Sequence, residues 1–405
     1  MKIFFSVGEP SADLHGSNLI RALKERDPDV ECVGFGGPKM KEAGLDQHFD
    51  LTKFAIMWIV KVLINIRTFF RLAKQAEQYF KTERPDAVVL IDYPGFNWHI
   101  AKRARKYGIP VYYYGVPQLW AWAQWRIKKM RRDVSYALCK LPFEEKWYRD
   151  RGCNATFIGH PFFDELTSHQ MQQDVLDEFA RDDKRLVAIL PGSRTSEVEI
   201  QLPGFLDAAR LIQQEDGNVR FVIASFKESQ AKLARRMVEE AGLDIDVLTG
   251  CTPEIIKSAH CCMACSGSVS LELMFHKVPT VIQYKVGKFH QWIGNRLLKV
   301  KYITLVNLIS DPDPFRASCE KSDIFGSHQS HVPFPEYIGS ADHSKPMADY
   351  IQTWLSDEHE RSRRITMLAE LNEKYAKPGA SRRAAEFVLD DLQGQSEKDQ
   401  RAAAA

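Results

Sequence analysis

No sign of charge dominates this 405-residue chain: 55 Lys and Arg stand against 53 Asp and Glu, a net +2. That balance excludes bulk electrostatic capture of nucleic acid, so an anionic partner must be met by local patches. No secretory leader is expected, because Met1-Lys2 runs directly into Ile3-Phe4-Phe5-Ser6-Val7, which reads as a first strand. Metal-ligand spacing is lacking too. Cys262-x-x-Cys265 has no second ligand pair at zinc-ribbon spacing, and His328, His331 and His343 lie in a polar stretch that reads as a solvated loop. No acidic pair looks built for magnesium. Eight cysteines without a leader point to a reducing compartment, with the Cys261–Cys265 run reading as small apolar residues of a buried strand.

What is present is a regular alternation of apolar strands with helical stretches, the pattern of parallel sheets covered on both faces. Strands are expected at 2–7, 31–35, 87–91, 111–115, 136–140 and 155–157, and again at 186–190, 219–224, 245–248, 261–264 and 278–281. The length suits two domains. The expected division is 1–160, a linker at 161–185, a second domain at 186–309, an irregular insertion at 310–344, helices over 346–393 that pack back on the first domain, and a disordered tail at 394–405.

Two strand-to-helix junctions in the second half carry anion-binding chemistry. Leu186–Leu190 leads into Pro191-Gly192-Ser193-Arg194, where a glycine lets backbone N–H groups approach an anion and an arginine supplies a charged fork. Cys261–Ala264 leads into Ser266-Gly267-Ser268, with Glu272 inside the next helix, placed to accept from a ribose diol. Together they suggest a nucleoside diphosphate. In the first half, Gly8-Glu9-Pro10-Ser11-Ala12-Asp13 and Asp92-Tyr93-Pro94-Gly95-Phe96-Asn97 follow strands in the same way. Asp92 could be a general base for an attacking hydroxyl or a cap for the helix near Trp98, and Glu9, Ser11 and Asp13 could equally cap theirs.

The motifs together resemble one family. Gly8-Glu9-Pro10-Ser11, Gly36-Gly37-Pro38-Lys39-Met40, Ile91–Asn97, Pro117-Gln118-Leu119-Trp120-Ala121-Trp122, Leu141-Pro142-Phe143-Glu144, Gly159-His160-Pro161, Leu190–Arg194 and Ser266-Gly267-Ser268 with Glu272 occur in the order seen in the lipid-A-disaccharide synthase family. The resemblance implies an α/β GT-B fold, two Rossmann-like domains with parallel sheets facing a central cleft. It implies an inverting transfer of 2,3-diacylglucosamine from UDP onto 2,3-diacylglucosamine 1-phosphate, giving tetraacyl lipid A disaccharide 1-phosphate and UDP, without cofactor or metal. Carried over, Asp92 and Arg194 are catalytic, and Gly8, Ser11, Ser193, Ser266, Ser268, Glu272 and Asn307 bind UDP.

Ile56–Val60 continues through Leu63 and Ile66 to Phe70 with Lys61, Arg67 and Arg71 interspersed, too short and charged to span a bilayer but suited to its interface. The expected membrane or acyl contacts are Met57, Trp58, Val60, Leu63, Ile66, Phe69 and Phe70. The resemblance implies peripheral association with the cytoplasmic face of an inner membrane, and the analogy admits a homodimer. Ala12, Trp58, Lys61, Gly95 and Val306 depart from the family's usual glycine, glycine, glutamate, aspartate and proline. A related transferase with another acceptor, an epimerase of the same architecture and an impaired UDP-sugar-binding protein are the alternatives.

Overall fold

The computed structural model describes residues 1–54, 66–315, 327–328 and 331–404. They divide into two compact units, Met1–Thr167 with Lys377–Ala405, and Ser168–Ala376. Met57, Trp58, Val60, Lys61 and Leu63 lie outside the described residues.

The first unit is a parallel sheet of β1 (Lys2–Val7), β2 (Glu31–Gly36), β3 (Asp46–Asp50), β4 (Ala87–Ile91), β5 (Val111–Tyr114), β6 (Tyr136–Cys139) and β7 (Ala155–Phe157). Its order is β3-β2-β1-β4-β5-β6-β7. Central strands such as Ala87-Val88-Val89-Leu90-Ile91 are buried along their whole length, which is why they read as unbroken apolar runs. The order reverses between β1 and β4, where Val7 pairs with Ile91, so a crevice opens beyond the carboxyl ends of these two strands. β3 was not expected. It is an edge strand whose Asp46-Gln47-His48-Phe49-Asp50 offers little apolar signal.

The second unit holds β8 (Arg185–Leu190), β9 (Val219–Ser225), β10 (Asp246–Thr249), β11 (Cys261–Cys265), β12 (Thr280–Lys285), β13 (Ser327–His328) and β14 (Glu336–Gly339). The order is β10-β9-β8-β11-β12-β14-β13, parallel except for the β13–β14 pair, with the reversal between β8 and β11. The stretch expected to be irregular therefore contributes a fully buried strand. Glu336 hides it in the sequence, because its carboxylate is buried yet satisfied by the amides of Ile303 (3.1 Å) and Thr304 (3.0 Å).

The C-terminal helices divide differently from expectation. Met347, Ala348, Ile351 and Trp354 of helix Ser344–Ser356 enter the second unit's core, and Glu358–Tyr375 belongs to the same unit. Only Ala380–Ala404 returns to the first, where Ala384, Ala385, Val388 and Leu389 join Leu19 and Leu23. Asp164 fixes its start by accepting from the amides of Gly379, Ala380 and Ser381 at 2.5, 3.1 and 2.9 Å. The stretch expected to be a disordered tail continues that helix. The expected linker is also ordered, as helices Phe162–Ser168 and Gln173–Ala180, the latter burying Phe179 beneath Arg220.

Candidate active site

In the first unit the crevice is built around Asn97. Fully buried, it accepts from Ser6 Oγ at 2.7 Å and donates to the carbonyls of Ser6 (3.1 Å) and Asp92 (2.7 Å), so one amide ties the carboxyl ends of β1 and β4 together. The Tyr113 hydroxyl donates to the same Asp92 carbonyl at 2.7 Å. These bonds hold Asp92 and Tyr93 at φ 45°, left-handed backbone that costs non-glycine residues energy and persists only where the surroundings enforce it. The Tyr93 ring lies against Gly8, where a Cβ would come within 2.5 Å of it.

This turn points the Asp92 carboxylate at Lys140, with Nζ 3.4 Å from Oδ1. The following helix, Pro94–Lys106, is capped at Tyr93 with no side-chain bond, so Asp92 is not its cap. Lys140 sits just past β6. Burial pulls its pKa down, but the charges of Asp92 and Glu144 and the hydrogen bond to Asp92 outweigh this, and the net shift is upward. Gly115, at φ 70°, leaves it room, since a Cβ there would stand 3.0 Å from the lysine chain. Glu144 fixes the backbone here: it accepts from the amides of Lys140 and Leu141 and from Trp120 Nε1, each at 2.9 Å. The Trp120 and Leu141–Glu144 motifs thus form one buried lock that positions Lys140. Near it, burial and then Lys140 and His15 hold His160 well below the usual imidazole range, so it is neutral and accepts the Phe162 amide at 3.2 Å.

Four other residues sort themselves. Ser11 is exposed in the first turn of helix Pro10–Arg26. Asp13 is buried and does not cap its own helix. It accepts from the amides of Gly37 (2.8 Å), Lys39 (3.0 Å) and Met40 (3.1 Å), capping Pro38–Glu42. Phe69 lies in a ring cluster with Tyr93 (6.2 Å) and Phe96 (5.7 Å), beside the Asp92 turn, whereas Phe70 is 57% exposed.

In the second unit, Gly192 stands at φ 118° after β8, and a Cβ there would meet Glu197 at 2.6 Å. Glu197 Oε2 accepts from the amides of Ser193 (2.9 Å) and Arg194 (3.1 Å), and Oε1 holds Arg194 Nη1 at 2.7 Å. The carboxylate is itself an anion seated on this turn. It demonstrates the turn's preference for negative charge and presets the guanidinium, whose side chain is 76% exposed. Beyond β11, Gly267 and Ser268 are exposed, and the Ser268 hydroxyl makes no cap bond to helix Val269–Phe275.

Glu272, one turn in, is 7% exposed, and its Oε1 has no hydrogen-bond partner among the described residues. Burial, followed by the nearby Glu254, pushes its carboxyl up to about 7. Asn307 is a correction. It is fully buried and spends its amide on the Phe334 carbonyl (2.8 Å), the Phe334 amide (3.1 Å) and Glu336 (3.1 Å), holding β14 rather than facing a ligand.

The structure therefore gathers Gly8, Ser11 and Asp92 at the β1/β4 switch and Ser193, Arg194, Ser266, Ser268 and Glu272 at the β8/β11 switch. Lys140 and Glu197 were missed. Lys140 follows a strand directly, a position that the rule of ligand binding at strand carboxyl ends could have singled out. Glu197, three residues after Arg194, has capping-box spacing.

Known proteins share this fold. The structure resembles the UDP-GlcNAc 2-epimerase from Neisseria meningitidis bound to UDP-GlcNAc, with TM-score 0.63, 11% identity and coverage of 96% of this chain and 100% of that one. It also resembles the calicheamicin glycosyltransferase, with TM-score 0.56, 14% identity and coverage of 97% and 98%. These likenesses establish the GT-B fold. The lipid-A-disaccharide synthase of Coxiella burnetii (strain Dugway 5J108-111) is 34% identical over 357 residues, 86% of this chain and 94% of its own length. That of Geobacter sulfurreducens is 30% identical over 392 residues, 96% and 97% of the two chains. With residues 3–325 matching the model of the lipid-A-disaccharide synthetase family as well, the chain belongs to that family.

Proposed function

We propose that the chain is an inverting glycosyltransferase of lipid A biosynthesis, moving 2,3-diacylglucosamine from UDP onto the 6-hydroxyl of 2,3-diacylglucosamine 1-phosphate. The products are the tetraacyl disaccharide 1-phosphate and UDP. In this reading the acceptor oxygen attacks the anomeric carbon, the bond from that carbon to the diphosphate oxygen breaks with its electron pair leaving on UDP, and the hydroxyl proton passes to Asp92. Lys140 faces the carboxylate and orients it. Arg194 takes the growing charge on the diphosphate, so a protein cation stands where other transferases use a metal. Ser266 and Ser268 serve the phosphates, and Glu272 accepts from the ribose diol.

The observation that carries the reading is the pairing, at one switch point, of an arginine-bearing anion turn with a buried carboxylate that has an unpartnered oxygen. A nucleoside diphosphate answers both features. Lipid-linked substrates imply a peripheral position on the cytoplasmic face of the inner membrane, with Phe69 beside the acceptor's acyl chains and Phe70 towards lipid. Among the described residues, no helix is long and apolar enough to cross a membrane. The test is the configuration of the product: an α-linked UDP donor should yield a β-linked disaccharide by NMR. Retention of configuration, or an isomerised UDP-sugar with no acceptor consumed, would reject the reading.

A further inference from the structure

Two donors at the carboxyl end of the first sheet, His160 and Arg383, have no part in the chemistry above. His160 lies just past β7 and is half-buried. Its Nδ1 accepts the Phe162 amide at 3.2 Å, so the proton of this neutral ring sits on Nε2. That N–H has no hydrogen-bond partner among the described residues. The ring reaches back along the strand ends, in T-shaped contact at 6.4 Å with His15 of the helix that follows β1. The charge of Lys140, past β6, acts on it as well.

Arg383 stands at the same turn. Gly159 is at φ 87°, and a Cβ there would come within 2.6 Å of Arg383 Nη2. Arg383 Nε donates to the Ile158 carbonyl at 2.8 Å and Nη1 to the Pro378 carbonyl at 3.0 Å. Main-chain carbonyls thus fix the fork without neutralising it, and among the described residues no carboxylate pairs with it and Nη2 is left over.

The acids nearby are already engaged. Glu165 stands 2.8 Å from His15 Nδ1, and Asp164 accepts from the amides that open helix Ala380–Ala404. Glu144 is taken by the Lys140 and Leu141 amides and Trp120, and Asp92 by Lys140. What remains is a guanidinium and an imidazole N–H with no anion of the chain to answer them.

We infer that His160 and Arg383 form a seat for a phosphate monoester, the 1-phosphate of the acceptor sugar. Such a group carries about two negative charges at pH 7 and three acceptor oxygens, and a fixed arginine fork with a second N–H donor suits it. A sugar hydroxyl would leave the guanidinium's charge unanswered. The place suits the acceptor too. In a hexosamine, C1 and the carbon bearing C6 flank the ring oxygen, so a 6-hydroxyl presented to Asp92 carries the phosphate along the same strand ends. The inference rests on the reading of the acceptor as a sugar 1-phosphate, but it concerns recognition and not transfer.

The test compares kcat/KM for 2,3-diacylglucosamine 1-phosphate with that for 2,3-diacylglucosamine lacking the phosphate. The wild type should prefer the phosphorylated acceptor. His160→Asn keeps an oxygen to accept the Phe162 amide but removes the Nε2 donor, and should lower that preference at least about tenfold, the scale of one hydrogen bond to a charged group. Arg383→Gln should lower it at least as much. Should Arg383→Gln fail to fold, Arg383→Lys, which keeps the charge and loses the fork, should lower it in the same direction. Phosphorus NMR of the full chain titrated with glucosamine 1-phosphate should show saturable binding that the variants weaken, with inorganic phosphate binding less tightly.

An unchanged preference in both variants, or an equal loss on both acceptors, which marks a structural role, would overturn the proposal. Inorganic phosphate binding as tightly as glucosamine 1-phosphate would make this a site for the free ion and overturn it too. Binding of glucosamine 1-phosphate through these residues by a chain that transfers no sugar would instead reject the proposed function and leave the phosphate seat standing.

Discussion

Lys140 Nζ stands 3.4 Å from Asp92 Oδ1, joining the ends of two strands that are 48 residues apart in the chain. Both side chains are largely buried, 16% and 26% exposed, so the ammonium depends on its partner. Burial lowers its pKa, while Asp92, Glu144 and the hydrogen bond raise it to a net upward shift. A raised lysine pKa contributes stability that is present below about pH 10.4 and lost as pH climbs through the folded value.

Asp92→Asn should therefore cost roughly 1–3 kcal/mol at pH 7 by leaving a buried cation unpaired. The cost should hold up to about pH 10.4 and shrink by about pH 11 as Lys140 loses its proton, and turnover should be lost while UDP binding is kept. Urea melts at both pH values and calorimetric UDP titration check this. Lys140→Met should lower kcat, with Lys140→Arg restoring part of it; rescue equal to wild type by Met would mean the lysine does not position Asp92.

Glu272 carries a stability cost, against which the proposed ribose contact would be the gain. Its carboxyl is pushed up to about 7 from an ordinary 4.5, so the group's favourable contribution is present below pH 4.5 and disappears as pH rises through 7. The difference is on the order of 3 kcal/mol. Glu272→Gln should stabilise the protein at pH 8 by about 2–3 kcal/mol and leave it unchanged at pH 4. The same change should weaken UDP binding by about 1–3 kcal/mol, since the ribose hydroxyls donate to a carboxylate. In the wild type, UDP affinity should rise with pH through 7.

Arg194 is preset by Glu197 at 2.7 Å and should act mainly on the leaving diphosphate. Arg194→Ala should remove about 2–4 kcal/mol of transition-state stabilisation, the scale for one preorganised donor. Steady-state kinetics should show the loss in kcat, and near-wild-type turnover would remove Arg194 from the reaction.

Asp13 is a structural group in a loop that otherwise looks functional. Asp13→Ala orphans the amides of Gly37, Lys39 and Met40. The expected loss is about 2–4 kcal/mol of stability, with turnover per folded molecule unchanged at low temperature. Gly37 belongs to the same arrangement, since a Cβ there would lie 2.5 Å from the Asp13 carboxylate.

The strands of both sheets were legible because parallel strands buried on two faces must be continuously apolar, as Val187-Ala188-Ile189-Leu190 is. β3 and β14 were not, because an edge strand with one phenylalanine and a strand opening on a buried glutamate carry no such signal. The strand-to-helix turns at Gly192–Arg194 and Ser266-Gly267-Ser268 were legible, because their signals are local. Lys140 was not, since its meaning comes from Asp92 on a different strand. Asn307 misled for the converse reason: its amide suits a ligand, and tertiary packing gave it to Phe334 and Glu336.

The most direct test of the central claim is the dependence of UDP release on the acceptor. Purified protein given UDP-2,3-diacylglucosamine alone should release almost no UDP. Adding 2,3-diacylglucosamine 1-phosphate should start release matched mole for mole by tetraacyl disaccharide 1-phosphate. UDP release at the same slow rate with and without acceptor, and no disaccharide, would contradict it.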